Sequence, residues 1–464
     1  MQKLFDEVGT LDNSCYNVFG LSEDILMEHA ANGMNIFIRD TFDKNSKIII
    51  ACGSGNNGAD GLALARLLHG DYNVEIFYVQ EPKSPMARLQ LDRAHAIGVK
   101  STIELNKCDI LVDALYGTGF SRDFDNESKS VLQTINKMSA YKIACDIPSG
   151  LKQNGECDKD IFHADITLTM GALKRSMFSD AAKEFVGKIE VINLGVARSV
   201  YETSSNWNLL DQEDLKLPYR NQKNTHKGHF GHLSIPCGYK YGASMISALA
   251  AHKFGTGLVT LVGPQEPNTM HYTLMHAQNI PANTTAIASG MGIGNQFSEE
   301  ELRSFFDNSL PCILDADIFH MPILLDLLKK ENVVITPHPR EFIALLHRTN
   351  IADISINELQ NDRFKYSEVF CKKYPNITLL LKGANVIIAQ NDRFFINPHG
   401  TSALAKGGSG DVLSGLVGSL LAQGYTTLDA AINASLAHTK IVQNYKGADF
   451  SLTPEDLIQG IGNL

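Results

Sequence analysis

No two of the eight cysteines in this 464-residue chain stand at a CxxC spacing. Structural zinc and a disulfide framework are therefore not expected, and a reducing cytoplasm is the expected home. Long apolar runs are missing too. The best, around Val412 to Ala422, falls well short of the ~20 residues that span a bilayer. The opening MQKLFDEVGTLDN has no cationic segment leading into an apolar core, so neither a secretory signal nor a transit peptide is read there. Positive charge is in deficit, with 41 Lys and Arg against 51 Asp and Glu. That balance speaks against a sequence-blind polyanion binder, and neither nucleic acid nor membrane is expected as a partner. Short-period repeats and low-complexity tracts are absent as well. What remains is the composition of a soluble globular protein, long enough for about two to four domains.

The first 200 residues alternate. Ser22 can cap a helix whose apolar stripe is Ile25, Leu26, Ala30, Met34, Phe37 and Ile38. Short β-branched or apolar runs follow at 47–52, 72–79, 109–115, 141–145, 165–169 and 188–193, with helical stretches near 58–69, 86–97 and 127–138. Such alternation predicts a mostly parallel sheet covered by helices, with its ligand crevice at the carboxyl ends of the strands. Residues 201–225 are polar, hold the only Trp, and read as a linker or an arm packed on a neighbour. From Gly231 a second α/β pattern begins. Strands are predicted at 232–236, 257–262, 286–289, 311–315, 333–336, 377–381, 385–389 and 393–396. Helices are predicted at 243–254, 321–330, 340–348, 355–374, 411–423 and 427–444.

Three loops of the first half carry chemistry. ACGSGNNGADG (51–61) mixes amide oxygens, which suit a cation, with glycine N–H groups ahead of a helix, which suit an anion. Its formal GxGxxG, at Gly53, Gly55 and Gly58, is weak evidence alone, and a ligand-free strand-to-helix turn is the plain alternative. VDALYGTGFSR (112–122) and ACDIPSG (144–150) place Asp113 and Asp146 at strand ends. A carboxylate on a crevice floor can serve as acid or base where burial raises its pKa.

GSGNNGADG, DALYGTG and DIPSG, with LMEHA upstream, resemble the epimerase domain of the NAD(P)H-hydrate repair enzymes over about residues 1–205. The resemblance implies a Rossmann-like fold and interconversion of the R and S forms of NADH or NADPH hydrated at C6 of the nicotinamide ring. By motif position, Asn56, Asn57, Gly58, Ala59 and Asp60 would bind substrate. So would Gly117, Thr118, Gly119, Phe120, Ser121, Arg122 and Asp123. Asn57, Asp113 and Ser149 would hold potassium, and Asp146 would be the acid/base. Ala59 departs from the family's usual glycine. Were φ positive there, alanine would cost about 1 kcal/mol or more; were the glycine only a close contact, alanine would narrow the loop.

In the second half, AKGGSGDVLSG sets Gly407, Gly408, Ser409 and Gly410 before a helix expected to begin near Asp411. Free N–H groups there can receive a phosphoryl group while the carboxylate takes a hydroxyl proton. The plain alternative is a glycine hinge capped by Asp411. This stretch, with HKGHFGHL, YGASMISALAAHKFGTGLV, SGMGIG, TPHPREF and LKGANVII, is similar to the ribokinase-like ADP-dependent NAD(P)H-hydrate dehydratase domain over about 225–464. The resemblance implies that Ala243, Gly292, His338 and Asp411 contact the hydrate. Lys382, Gly383, Ala384, Asn385, Val386, Ser409 and the glycines Gly407, Gly408 and Gly410 would contact the nucleotide. It further implies ADP as co-substrate, K+ and Mg2+ as cofactors, hydrated NADH or NADPH and ADP as the small-molecule partners, and a homo-oligomer. SGMGIG departs from the commoner GPGLG, and PCG at 236–238 from a paired glycine.

Other readings of the same residues stay open. His226, His229 and His232 invite zinc, but Gly228 and Gly231 speak against the helix that spacing needs. A ribokinase-like small-molecule kinase fused to a non-catalytic ligand-binding domain is the main rival. A third reading takes the first domain as a partner-binding module like those of mRNA-decapping scaffolds, against which Asp113, Asp146 and the Asn56–Asn57 pair speak.

Overall fold

The computed structural model describes residues 1–120, 123–307 and 309–464. It divides into two compact units, Lys3–Trp207 and Asn208–Leu464, with Met1–Gln2 counted in the second.

Among the described residues of the first unit, seven strands form one all-parallel sheet: β1 (Lys47–Cys52), β2 (Asn73–Tyr78), β3 (Lys100–Thr102), β4 (Ile110–Ala114), β5 (Tyr141–Cys145), β6 (Ile166–Met170) and β7 (Lys188–Ile192). Their order is β3-β2-β1-β4-β5-β6-β7. The order reverses between β1 and β4, so a crevice opens beyond the carboxyl ends of those strands. The run Ile48–Cys52 is buried on both faces, as a helix-covered parallel sheet requires. One apolar cluster includes Ile48, Ile50, Met34 and Leu62; the other includes Ile49, Leu111, Leu132 and Phe162. Helix α1 (Glu23–Thr41) is capped by Ser22, whose hydroxyl accepts from the Ile25 amide. Its buried face is Leu26, Met27, Ala30, Ala31, Met34 and Ile38. Ile25, expected in that stripe, is exposed because the stripe begins one residue later. Helices α2 (Asn56–Leu68), α3 (Pro85–Ala96) and α4 (Asn126–Lys137) lie where the periodicity put them, each shifted by one or two residues.

Among the described residues of the second unit, nine strands follow: β8 (His232–Pro236), β9 (Leu258–Val262), β10 (Met275–Ala277), β11 (Ala286–Ser289), β12 (Cys312–Leu314), β13 (Val333–Ile335), β14 (Ile377–Leu381), β15 (Val386–Gln390) and β16 (Arg393–Asn397). They run in the order β10-β9-β8-β11-β12-β13-β14-β15-β16, parallel as far as β14 and antiparallel beyond. The main helices here are α5 (Tyr241–Lys253), α6 (Pro339–Arg348), α7 (Ser409–Ala422) and α8 (Thr427–Asn444). Three predictions need correction. The helix expected over 355–374 breaks at Asp362, whose carboxylate caps the following helix Arg363–Lys373. That expected over 321–330 shrinks to Leu324–Leu327. The strand Met275–Ala277 and the helices Glu299–Phe306 and Pro454–Gly460 lie where none was predicted. The polar stretch after 207 is an arm on the second unit: Leu210 joins its core, and the Lys216 amide donates to Asn433 Oδ1 at 2.6 Å. Among the described residues, no helix is long and apolar enough to cross a membrane.

Candidate active sites

In the first unit a cavity of about 660 Å³ lies at the carboxyl ends of β1, β4, β5 and β6. Asn56, Asn57, Asp60, Gly117, Thr118, Gly119, Phe120 and Asp146 line it, together with Asp12, Met170 and Tyr201. Gly58 and Ala59 lie behind the wall, in the first turn of α2. Asp123 is exposed and lines no part of the cavity, while Ser121 and Arg122 lie outside the described residues.

The glycines of the opening loop let backbones meet. A Cβ on Gly53 would sit 1.9 Å from the Leu115 carbonyl oxygen, and one on Gly58 would sit 1.9 Å from that of Gly53. Ala59 is fully buried inside α2 with its amide bonded to Gly55 O, and it is not among the residues of positive φ. The strain foreseen for a left-handed alanine therefore does not arise.

Asp113, on β4, is wholly buried. Its Oδ2 accepts from the Ser149 amide (2.8 Å), and its Oδ1 from the Ser149 hydroxyl (2.7 Å) and the Leu115 amide (3.2 Å). Burial pushes its carboxyl up to about 6, against the pull of those bonds. The side-chain nitrogen of Asn57 is buried with no partner, and the amide packs against Gly117. Turned over, that amide offers an oxygen. An amide oxygen, a hydroxyl and a carboxylate whose charge burial disfavours suit a hard monovalent cation. Among the described residues no cluster of three or more His, Cys, Asp or Glu could hold a transition metal.

Asp146 follows β5 at φ 70, in a three-residue turn closed by the Ile147 amide on Cys145 O (3.0 Å). Its Oδ1 accepts from Lys174 Nζ and from the Met170 amide (3.1 Å). Nearby, Asp60 is pushed well up by burial first and by Asp146 next. Asp12, which accepts from Tyr201 Oη at 2.7 Å, is raised by burial too. Sequence reasoning missed Lys174, Asp12 and Tyr201. The one available signal was Lys174 itself, a lysine closely following an apolar strand in a sheet whose other strand ends carry aspartates.

In the second unit the candidate residues again fall at carboxyl ends of strands. Asp411 sits in the first turn of α7, whose N-cap Gly408 has φ 88. Its carboxyl is pushed up to about 6 by burial and then by Asp315, while Lys382 pulls it down. Lys382, just after β14, donates to Asp315 Oδ1 (2.8 Å), and Ser414 Oγ donates to Oδ2 (2.7 Å). A Cβ on Gly410 would lie 3.6 Å from Lys382 Nζ, so the lysine faces the head of α7. The Lys382–Val386 loop hangs on Arg363, whose guanidinium donates to the carbonyls of Leu381, Lys382 and Asn385. Gly383 and Ala384 lie beside Gly400, where a Cβ would meet Ala384 O at 2.5 Å. Gly407 has open space around its Cα, and Ser409 Oγ meets the buried His438 at 3.3 Å. Gly292 (φ 69) passes so close to Lys240 that a Cβ would be 2.2 Å from its carbonyl oxygen. Ala243 lies in the first turn of α5.

His338 caps α6, its Nδ1 accepting from the Arg340 and Glu341 amides, while Glu341 returns a bond to the His338 amide. Burial pushes Glu341 up to about 7. His232 is a buried strand residue bonded to Asn283 and Thr260, and His226 and His229 stack 3.8 Å apart in a 3-10 turn, so the three histidines form no helical face.

The family described as NAD(P)H-hydrate dehydratase matches residues 234–462, and that described as YjeF-related protein N-terminus matches 23–176. The bifunctional NAD(P)H-hydrate repair enzyme of Helicobacter pylori is 41% identical, with all of both chains covered. That of Dictyoglomus turgidum is 30% identical over 98% of this chain and 96% of its own. Among solved structures, an ADP/ATP-dependent NAD(P)H-hydrate dehydratase from Bacillus subtilis, co-crystallised with ATP and Mg2+, is 24% identical at TM-score 0.46. It covers 56% of this chain and 98% of its own.

Proposed function

The chain belongs to the family of bifunctional NAD(P)H-hydrate repair enzymes, and from that premise we propose how its residues divide the two reactions. It is a metabolite-repair enzyme with an epimerase and a dehydratase domain. We assign residues 1–205 to epimerisation, 225–464 to dehydration and 206–224 to the connection between them.

The observation that carries the assignment is one carboxylate per unit, each at a strand-end or helix-head site suited to its reaction. In the first, Asp146 lines the cavity together with the glycine loops and moves the proton when the C6 hydroxyl leaves one face of the ring and water adds to the other. Asn56, Asn57, Asp60 and the 117–120 loop bind the hydrate, while Gly58 and Ala59 support that wall from behind. Asn57, Asp113 and Ser149 would hold potassium, whose positive charge would favour the ionised form of Asp113 in its buried setting.

In the second, ADP gives its terminal phosphoryl to the C6 hydroxyl, leaving AMP. Asp411 takes the hydroxyl proton as the phosphoryl arrives, and the amides at Gly407–Gly410 receive the phosphoryl oxygens. Phosphate then departs from C6 as a proton is lost from C5 to solvent, and the ring double bond forms between the two carbons. Lys382–Val386 cradle the nucleotide; Ala243, Gly292 and His338 face the hydrate. Asp315 and Asp317, near Asp411, are the carboxylates that would hold Mg2+, which would neutralise charge on the nucleotide phosphates. The setting we propose is a cytoplasmic homo-oligomer.

The test is recovery of absorbance at 340 nm from a mixed R/S hydrate with ADP. Full recovery is expected. A halt at the S fraction, with spontaneous epimerisation slow, defeats the epimerase assignment; recovery without nucleotide defeats the dehydratase one.

A further inference from the structure

Lys174 is a fully buried cation, with its side chain 0% exposed. It follows β6 through Gly171, where φ is 72 and the Ala172 amide closes a three-residue turn on Met170 O. Two such turns, at Asp146 and Gly171, thus sit at the ends of adjacent strands and bring together residues 28 positions apart in sequence. A Cβ on Gly171 would lie 2.6 Å from the Tyr201 ring, so glycine there is needed twice over.

The protons can be counted. Lys174 Nζ contacts Asp146 Oδ1, Thr169 Oγ1 (2.8 Å) and Met170 O (2.8 Å). Thr169 spends its one hydroxyl proton on Asp146 Oδ1 at 3.4 Å, so toward Lys174 it accepts. Three acceptors require three N–H donors, and the nitrogen is an ammonium. Asp146 Oδ1 in turn receives Lys174, Thr169 and the Met170 amide, the pattern of an ionised carboxylate. Asp146 Oδ2 has no partner among the described residues, and Asp146 lines the cavity. One oxygen is fixed and the other is left for substrate.

The other charges around this pair are of the opposite kind. Asp60 on α2 and Asp12 on the helix Gly9–Asn17 face it, with Glu23, Tyr201, Cys145 and Asp113 beyond. Several acids share one buried cation, and Lys174 spends it on Asp146.

We propose that Lys174 is a positioning residue for epimerisation: its ammonium fixes one oxygen of Asp146 and so aims the second carboxylate oxygen into the cavity. The inference rests on the assignment of Asp146 above, and the test separates the two. In the full chain, Lys174→Met, Thr169→Val and Asp146→Asn are compared for R-to-S conversion without nucleotide, and for dehydration of pure S-hydrate as an internal control. Lys174→Met is expected to lower kcat about 10²-fold with KM little changed. Thr169→Val keeps the ammonium and should lower kcat by less, again with KM little changed; it decides the matter if Lys174→Met does not fold. An unchanged kcat in a folded variant, or a loss confined to KM, overturns the role of Lys174, since loosened packing alone would not spare KM. Near-normal conversion by Asp146→Asn overturns the Asp146 assignment itself.

Discussion

The two sites hold their carboxylates in opposite ways. Asp146 is tied by Lys174, Thr169 and a backbone amide, in a backbone turn that non-glycine residues rarely adopt. The Asp411 carboxyl has no hydrogen-bond partner among the described residues, and the nearby cation, Lys382, is bonded to Asp315 instead. The first site brings its own counter-charge. The second leaves its base poised near neutrality, with a lysine that incoming phosphates can compete for. The difference follows from the ligands proposed: the epimerase needs one fixed proton carrier, whereas the dehydratase must admit a highly charged co-substrate.

The largest expected effect tests the second half of that contrast. Asp411→Asn removes the base and keeps the size of the side chain, while the glycine amides and the Lys382 loop stay in place. Turnover of S-hydrate should fall by about 10² to 10⁴, with ADP still bound and epimerisation unchanged. A normal ADP-dependent rate would falsify both the base assignment and the phosphorylation route.

The pH profile sharpens the same point. A base must be ionised, and burial has pushed Asp411 up to about 6. Dehydration should therefore hold above that value and fall as pH drops through it. Lys382 pulls the Asp411 carboxyl down, so Lys382→Met should carry the acidic limb of kcat at saturating ADP to higher pH. A limb that stays put would mean that Asp315 keeps the lysine occupied throughout, and the contrast with Lys174 would collapse.

Asn57→Ala addresses the cation of the first site. Loss of one oxygen ligand should raise the potassium requirement of epimerisation by on the order of 10- to 100-fold, the scale of a lost bond to a charged group. Dehydration should not respond. If epimerisation at limiting potassium is unchanged, the unpartnered amide nitrogen of Asn57 needs another explanation.

Much of this was legible in the sequence because parallel strands announce themselves. Runs such as 48–52 and 143–145 are apolar and give way to Gly53 and Asp146, so the strand ends, and with them Asp113, Asp146 and Lys382, could be placed from the sequence. The role of Lys174 could not, since nothing local says that it meets Asp146, 28 residues away. The same holds for Asp12 and Tyr201, whose bond joins positions 189 apart. The break at Asp362 was hidden for a different reason: the apolar pattern continues through it, and only the capping bond of its carboxylate marks the boundary.

Ala59 gives the smallest expected effect. Sequence alone left two outcomes, a strained left-handed alanine or a narrowed loop. The residue is helical, fully buried and bonded through its amide to Gly55 O, so alanine favours the first turn of α2. Ala59→Gly should then cost about 1 kcal/mol of stability, the helix-propensity difference, measured by urea denaturation of the full chain. Epimerisation should change little, because Ala59 stands behind the cavity wall. Gly58→Ala is the contrasting neighbour: its Cβ would meet Gly53 O at 1.9 Å, and the loop that faces substrate would have to shift. If Ala59→Gly instead speeds epimerisation several-fold without loss of stability, the methyl group narrows the loop after all, and the first site is less finely held than its Asp146–Lys174 pair suggests.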